Sequence, residues 1–126
     1  MGETGVPSPV RHFIASHILS VAQLEVLLLL RAAADKDWTG GEVARALVTQ
    51  PEAAAGWLED LTERGLAREQ GGSYRYAPSS PELDRTVDAL AASYASYRVA
   101  VISLIFSRPS ERITRFSDAF RIRRKR

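Results

Sequence analysis

The chain has 126 residues, 45% of them apolar and 25% charged, with no cysteine and a formal net charge of +2. That length suits one domain with a core of its own, and that balance is the composition of neither a disordered chain nor a membrane protein. Without cysteine there is no disulfide framework, no thiolate metal site and no cysteine nucleophile.

Residues 1–9 read as a flexible leader. Residues 1–11 hold two prolines and no apolar stretch of the secretory-signal kind, so the expected compartment is the cytoplasm. The longest apolar runs, 26–30 and 99–106, fall far short of the ~20 residues that span a bilayer, and no transmembrane segment is expected. Val10, Phe13, Ile14, His17 and Ile18 recur at helical spacing and predict a short first helix. Ser20 followed by Gln23 has capping-box spacing ahead of a helix over 21–34, apolar nearly all round and therefore central. Thr39 and Glu42 repeat that spacing before a third, short helix. Pro51 fits the first position of a fourth helix over 51–64, because the N–H it lacks would have had no partner there. Gly65 caps that helix, and 66–69, Gly71-Gly72-Ser73 and 74–77 read as strand, tight turn and strand.

Pro78 to Pro81 form a stiff linker. From Pro81 to Ser107 no breaker occurs, which predicts one helix about 40 Å long. Along it Leu83, Val87, Leu90, Tyr94, Tyr97, Val101 and Leu104 make a heptad stripe. Such a stripe must be covered. Its own copy is the expected cover, giving a homodimer, and folding back on the domain is the alternative that the many alanines also allow. Residues 108–126 form a basic tail in which Ile113, Phe116 and Phe120 stand at helical spacing among arginines. The aromatics either fold back over 99–106 or dock the tail on an acidic partner, anionic lipid or nucleic acid.

Helix, helix, short helix, helix and hairpin, with WTGGEVARAL, QPEAAAGWLEDLTERGLARE and GGSYRYAP as the stretches that carry it, resembles a winged helix-turn-helix regulator domain of the MarR or PadR type over residues 10–80. The fold class implied is mainly α with a small β-hairpin wing, followed by a long terminal helix. The resemblance implies a transcription regulator whose fourth helix enters the DNA major groove, whose wing touches the backbone and whose terminal helices dimerise. Conventional DNA contacts would come from Thr49 and Gln50 at the start of that helix, Arg64 at its end, Arg68 and Arg75 on the wing, and Arg123, Arg124, Lys125 and Arg126 in the tail.

The residues depart from the family at the reading helix. With Ala54, Leu58 and Leu61 inward, Glu52, Ala53, Gly56, Glu59, Asp60 and Glu63 face outward, and none of these is basic. Such a face repels a duplex. The second reading is therefore a winged helix that has lost DNA binding and takes a protein partner on Glu52, Gly56, Trp57, Glu59, Asp60 and Glu63, with Phe116 and Phe120 in the tail. Trp57 reads either as a boundary residue under the wing or as an interface anchor. The wing reads either as a solvated hairpin or as a phosphate contact. Residues 1–80 carry seven basic and ten acidic side chains and 81–126 carry ten and five, so the front is acidic and the rear basic.

No catalytic constellation is expected. His12 and His17, five residues apart, point in different directions on a helix; Gly40-Gly41 and Gly71-Gly72 lack the phosphate-loop context; and exposed carboxylates lack the burial that tunes a catalytic pKa. The chain is expected to be no enzyme and to need no cofactor, metal or small-molecule substrate.

Overall fold

The structure, a computed structural model, describes residues 5–107. Among them the chain is mainly helical, with six helices and one small antiparallel sheet of three strands in the order β1-β3-β2.

Helix α1 (Ser8–His17) starts earlier than its apolar spacing indicated. Pro9 falls in the first turn, where no N–H is required, so it opens the helix instead of preceding it. The described part of the leader is packed: Val6 is buried, and Gly5, at φ +89°, lies so close to Tyr97 that a Cβ there would meet the phenol ring. Helix α2 (Val21–Ala32) is the central helix, burying Leu24, Val26, Leu27 and Leu30. The Ser20 hydroxyl accepts from Gln23 N–H as expected, but the reciprocal arm of that box is absent, because the Gln23 amide oxygen takes the N–H of Leu19.

Strand β1 (Trp38–Thr39) leads directly into α3 (Gly40–Leu47), whose capping box is complete: Glu42 N–H donates to Thr39 Oγ1 at 3.1 Å and Thr39 N–H to Glu42 Oε1 at 3.0 Å. Helix α4 (Pro51–Glu63) buries Ala54, Leu58 and Leu61 and ends at Gly65. There Leu66 N–H returns to Leu61 O and Gly65 N–H to Thr62 O, the two bonds of a Schellman turn, with Gly65 at φ +80°. Strands β2 (Ala67–Gln70) and β3 (Ser73–Tyr76) close over Gly71 and Gly72, both at positive φ, as a two-residue turn matching strand twist requires. Strand β3 also pairs with β1, setting Trp38 opposite Tyr74.

The expected single helix over 81–107 is two. Helix α5 (Pro81–Ser96) and α6 (Arg98–Phe106) meet at Tyr97 with a bend of 113°. Neither proline nor glycine marks the break. Its cause is tertiary: the bend lets α1 pack against both helices, burying Val87 and Leu90 from one and Val101 and Ile105 from the other. Arg31 to Asp88 at 2.9 Å and Tyr76 Oη to Asp84 at 2.8 Å tie α5 to α2 and to the hairpin. No single helix among the described residues is long and apolar enough to cross a membrane.

Candidate interaction surface

Helices α3 and α4 meet at a turn whose residues Val48, Thr49 and Gln50 are all exposed. Val48 stands out twice: the residue is 91% exposed, and it lies at φ 54°, ψ 58°, a left-handed conformation that a β-branched residue adopts only with strain. An open depression of about 710 Å3 runs from Gly41 and Arg45 across this turn to Pro51. Val48 and Thr49 also line a smaller cavity of about 170 Å3, together with Ala22, Glu25, Val26, Leu47 and Trp57. Trp57 is half-buried, packs against the core as a boundary residue, and lines this cavity with residues of α2 and of the α3–α4 turn.

The outward stripe of α4 is acidic, with Glu52, Glu59 and Glu63 exposed beside Ala53 and Gly56. The negative character continues onto the hairpin. Tyr74 has its pKa raised, first by burial and then by the carboxylates of Glu59 and Glu69, which places both acids near its phenol.

Asp60 corrects the expectation. Spacing puts it on the outward stripe, yet it is half-buried, because its carboxylate accepts from Gln23 Nε2 at 2.5 Å and from Arg64 Nε at 2.8 Å. Gln23 itself is fully buried; its amide also donates to His17 O, while Arg64 reaches Ser16 O at 3.3 Å. This network fastens the end of α1 and the start of α2 to α4. Periodicity pointed Asp60 at solvent because it reports the helix's own faces and not the polar group a neighbouring turn supplies. A glutamine in an otherwise apolar helix is the sequence signal of such a partner, and its spacing from Ser20 also fits a cap.

Of the expected DNA contacts, Thr49 and Gln50 are exposed on the turn, but Arg64 is engaged by Asp60, and Arg75 is drawn to Asp37 at 2.8 Å. Arg68, directly across the hairpin from Arg75, is exposed and makes no ion pair among the described residues. Arg123, Arg124, Lys125, Arg126, Phe116 and Phe120 lie outside the described residues.

The heptad stripe is spent inside the chain. Val87, Leu90 and Val101 are fully buried, Tyr94 nearly so, and Leu83 and Leu104 are half-buried against the same core. Only Tyr97 is largely exposed, at 46%. The stripe folds back on the domain within the chain, because the bend at Tyr97 turns its two halves onto α1. Tyr94 Oη donates to Glu25 at 3.2 Å and Arg98 to Tyr94 Oη at 3.4 Å; burial and then the Glu25 carboxylate raise the Tyr94 pKa.

His12 is exposed, whereas the His17 ring tilts against Phe13 with its Nδ1 buried and unpartnered. Among the described residues no group of three or more His, Cys, Asp or Glu is placed to hold a metal ion. No protein-family model, no curated protein and no solved structure matches the chain.

Proposed function

We propose that this chain is a winged-helix module that acts by binding a protein partner on its α3–α4 face, and not by catalysis. The order helix, helix, strand, helix, helix, hairpin, with the first strand paired to the hairpin, supports the winged-helix reading. The observation that carries the mode of action is the charge of α4. Glu52, Glu59 and Glu63 are exposed, while Arg64 at the end of the same helix and Arg75 on the hairpin are held by Asp60 and Asp37. A helix reading DNA needs cations toward phosphate, and this one presents carboxylates. A partner with basic side chains around an apolar contact fits it instead, with Val48 and Trp57 as the apolar part.

A photoreactive residue replacing Glu59 should trap a protein adduct in the source cells, while one replacing the exposed Arg85 on α5 should not. Equal labelling from both positions would remove the reading.

DNA binding is the second reading, favoured by Arg68, exposed and without an ion pair, and by the eight basic residues of 108–126. It is tested by titrating generic duplex at about 50 and about 200 mM salt. Micromolar affinity that falls steeply between the two would put DNA first; a flat result leaves the protein partner.

A further inference from the structure

We propose that the cavity shared by Glu25 and Trp57 is a recognition pocket for a primary alkylammonium group, filled by one lysine side chain of the protein that the α3–α4 face binds. The source of the lysine rests on the partner reading above; the chemistry of the pocket does not.

The cavity joins surface to core. Ala22, Val48 and Thr49 on its lining are exposed and Val26 is buried, so an occupant entering from solvent reaches the interior. Its volume is about 170 Å3. An apolar cavity of roughly 150 Å3 takes benzene, so this one holds a single side chain.

Glu25 decides which kind. Among the described residues it is the only charged one on the lining; it is half-buried and makes no ion pair. Its Oε2 accepts from Tyr94 Oη at 3.2 Å, and no described donor reaches Oε1. Arg98 lies over the Tyr94 ring, 4.4 Å from its centroid, and donates to Tyr94 Oη at 3.4 Å instead of to the carboxylate. The carboxylate is thus anchored through one oxygen with the other open. A neutral apolar occupant would strip water from that charge without replacing it, and an anion would be repelled. A metal ion would find one carboxylate where it needs several oxygens. A cation with N–H donors replaces the lost water with a charge-assisted hydrogen bond.

Trp57 lines the same space, and indole is the aromatic face that holds a cation best. Lysine fits better than arginine. A guanidinium is favoured where it forks onto both oxygens of a carboxylate, but Oε2 is engaged by Tyr94, and an ammonium needs only Oε1. The methylene stem of lysine suits the apolar lining that Val26 and Leu47 supply. Helix α4, which carries Trp57, also exposes Glu52, Glu59 and Glu63, so a lysine-bearing segment is attracted to it.

The test is heteronuclear NMR of the full chain at constant ionic strength, titrated with n-butylammonium, the lysine side chain without its backbone. The Trp57 indole N–H and the amides of Ala22 and Leu47 should shift and saturate at roughly 1–10 mM, the range of so small a ligand, while the Trp38 indole and the amides of Glu59 and Glu63 stay in place. Neutral n-butanol should bind roughly tenfold more weakly, and Glu25→Gln should weaken the amine by a similar factor. Ala22→Leu, at an exposed helix position that accepts leucine, should fill the cavity and abolish saturation. Shifts that never saturate, shifts equally large at Glu59 and Glu63, or n-butanol binding as tightly as the amine each overturn the pocket. Tighter binding of n-butylguanidinium overturns the choice of lysine. Nα-acetyl-lysine N-methylamide, with backbone on both sides, should bind at least as tightly as n-butylammonium; exclusion by more than about tenfold would give the cavity to a free amine and overturn the partner as its source. A Glu59 adduct without saturation sinks the pocket and keeps the partner, whereas saturation without an adduct keeps the pocket and removes the partner.

Discussion

Val48 and Gly65 occupy equivalent positions in the turns that end α3 and α4. Thr49 N–H returns to Ala44 O at 2.9 Å and Val48 N–H to Arg45 O at 3.4 Å, as Leu66 returns to Leu61 at 2.9 Å and Gly65 to Thr62 at 3.1 Å. Both residues are left-handed, Val48 at φ 54° and Gly65 at φ 80°. Gly65 adopts that conformation without steric cost and Val48 does not. The left-handed state costs a non-glycine residue about 1–3 kcal/mol, and glycine returns roughly 0.5–1 kcal/mol of that through the flexibility it gives the unfolded chain. At 91% exposure, Val48 has little packing to lose. Val48→Gly should therefore stabilise by about 1 kcal/mol and raise the thermal midpoint by roughly 4–8 °C. If the strained valine serves binding, the same variant weakens whatever the α3–α4 turn holds; a lower midpoint would show that the side chain is packed.

Gln23 is fully buried with every one of its polar links spoken for: Leu19 N–H into its oxygen, its amide to His17 O and to Asp60. Gln23→Leu keeps the volume and removes all three bonds, stranding a backbone donor and acceptor at the α1–α2 turn. Unsatisfied buried groups cost about 1–3 kcal/mol each, so the variant should lose roughly 2–4 kcal/mol in urea unfolding. A loss below about 0.5 kcal/mol, the scale of an ordinary surface substitution, would mean that the network is ornamental.

Much of the fold is legible because its signals are local. Thr39 with Glu42, Pro51, Gly65 and Gly71-Gly72 each satisfy a backbone requirement within a few residues, and all stand where their chemistry placed them. The stripe from Leu83 to Leu104 is different. Periodicity says that one face is covered and leaves open by what; α1 covers it, and the energy of that burial overrides a helix that has no local reason to stop at Tyr97. On the candidate surface, the acidic stripe was readable from spacing, while Asp60 was not, since its partner Gln23 lies 37 residues away. Val48 carries no sequence signal: valine is among the last residues a left-handed cap would select.

His17 makes stability pH-dependent. Burial lowers its pKa below the ordinary 6.5, and the Arg64 guanidinium lowers it further, with Asp60 opposing. The folded state thus favours the neutral ring, whose Nδ1 has no partner to receive an added proton. A depressed folded pKa means that this contribution is whole above 6.5 and is lost as pH falls from there toward the folded value. The urea midpoint should decline as pH falls below about 6.5, ahead of the carboxylates. His17→Gln should flatten that limb, and an unaltered slope would assign it to other groups.

Leu90 decides between a core and a seam. It is fully buried in the monomer, where α5 packs on α1, so Leu90→Ala should open a cavity and cost about 2–5 kcal/mol in a unimolecular transition. The midpoint should then be independent of protein concentration, and light scattering should give the same mass for variant and parent. Were the heptad stripe the contact between two copies, the variant would instead shift the association equilibrium, and its midpoint would rise with concentration. Self-association that survives Leu90→Ala would have to use a surface that this fold leaves open, such as Val99 on α6, where Val99→Ser should weaken it while leaving the urea midpoint nearly in place.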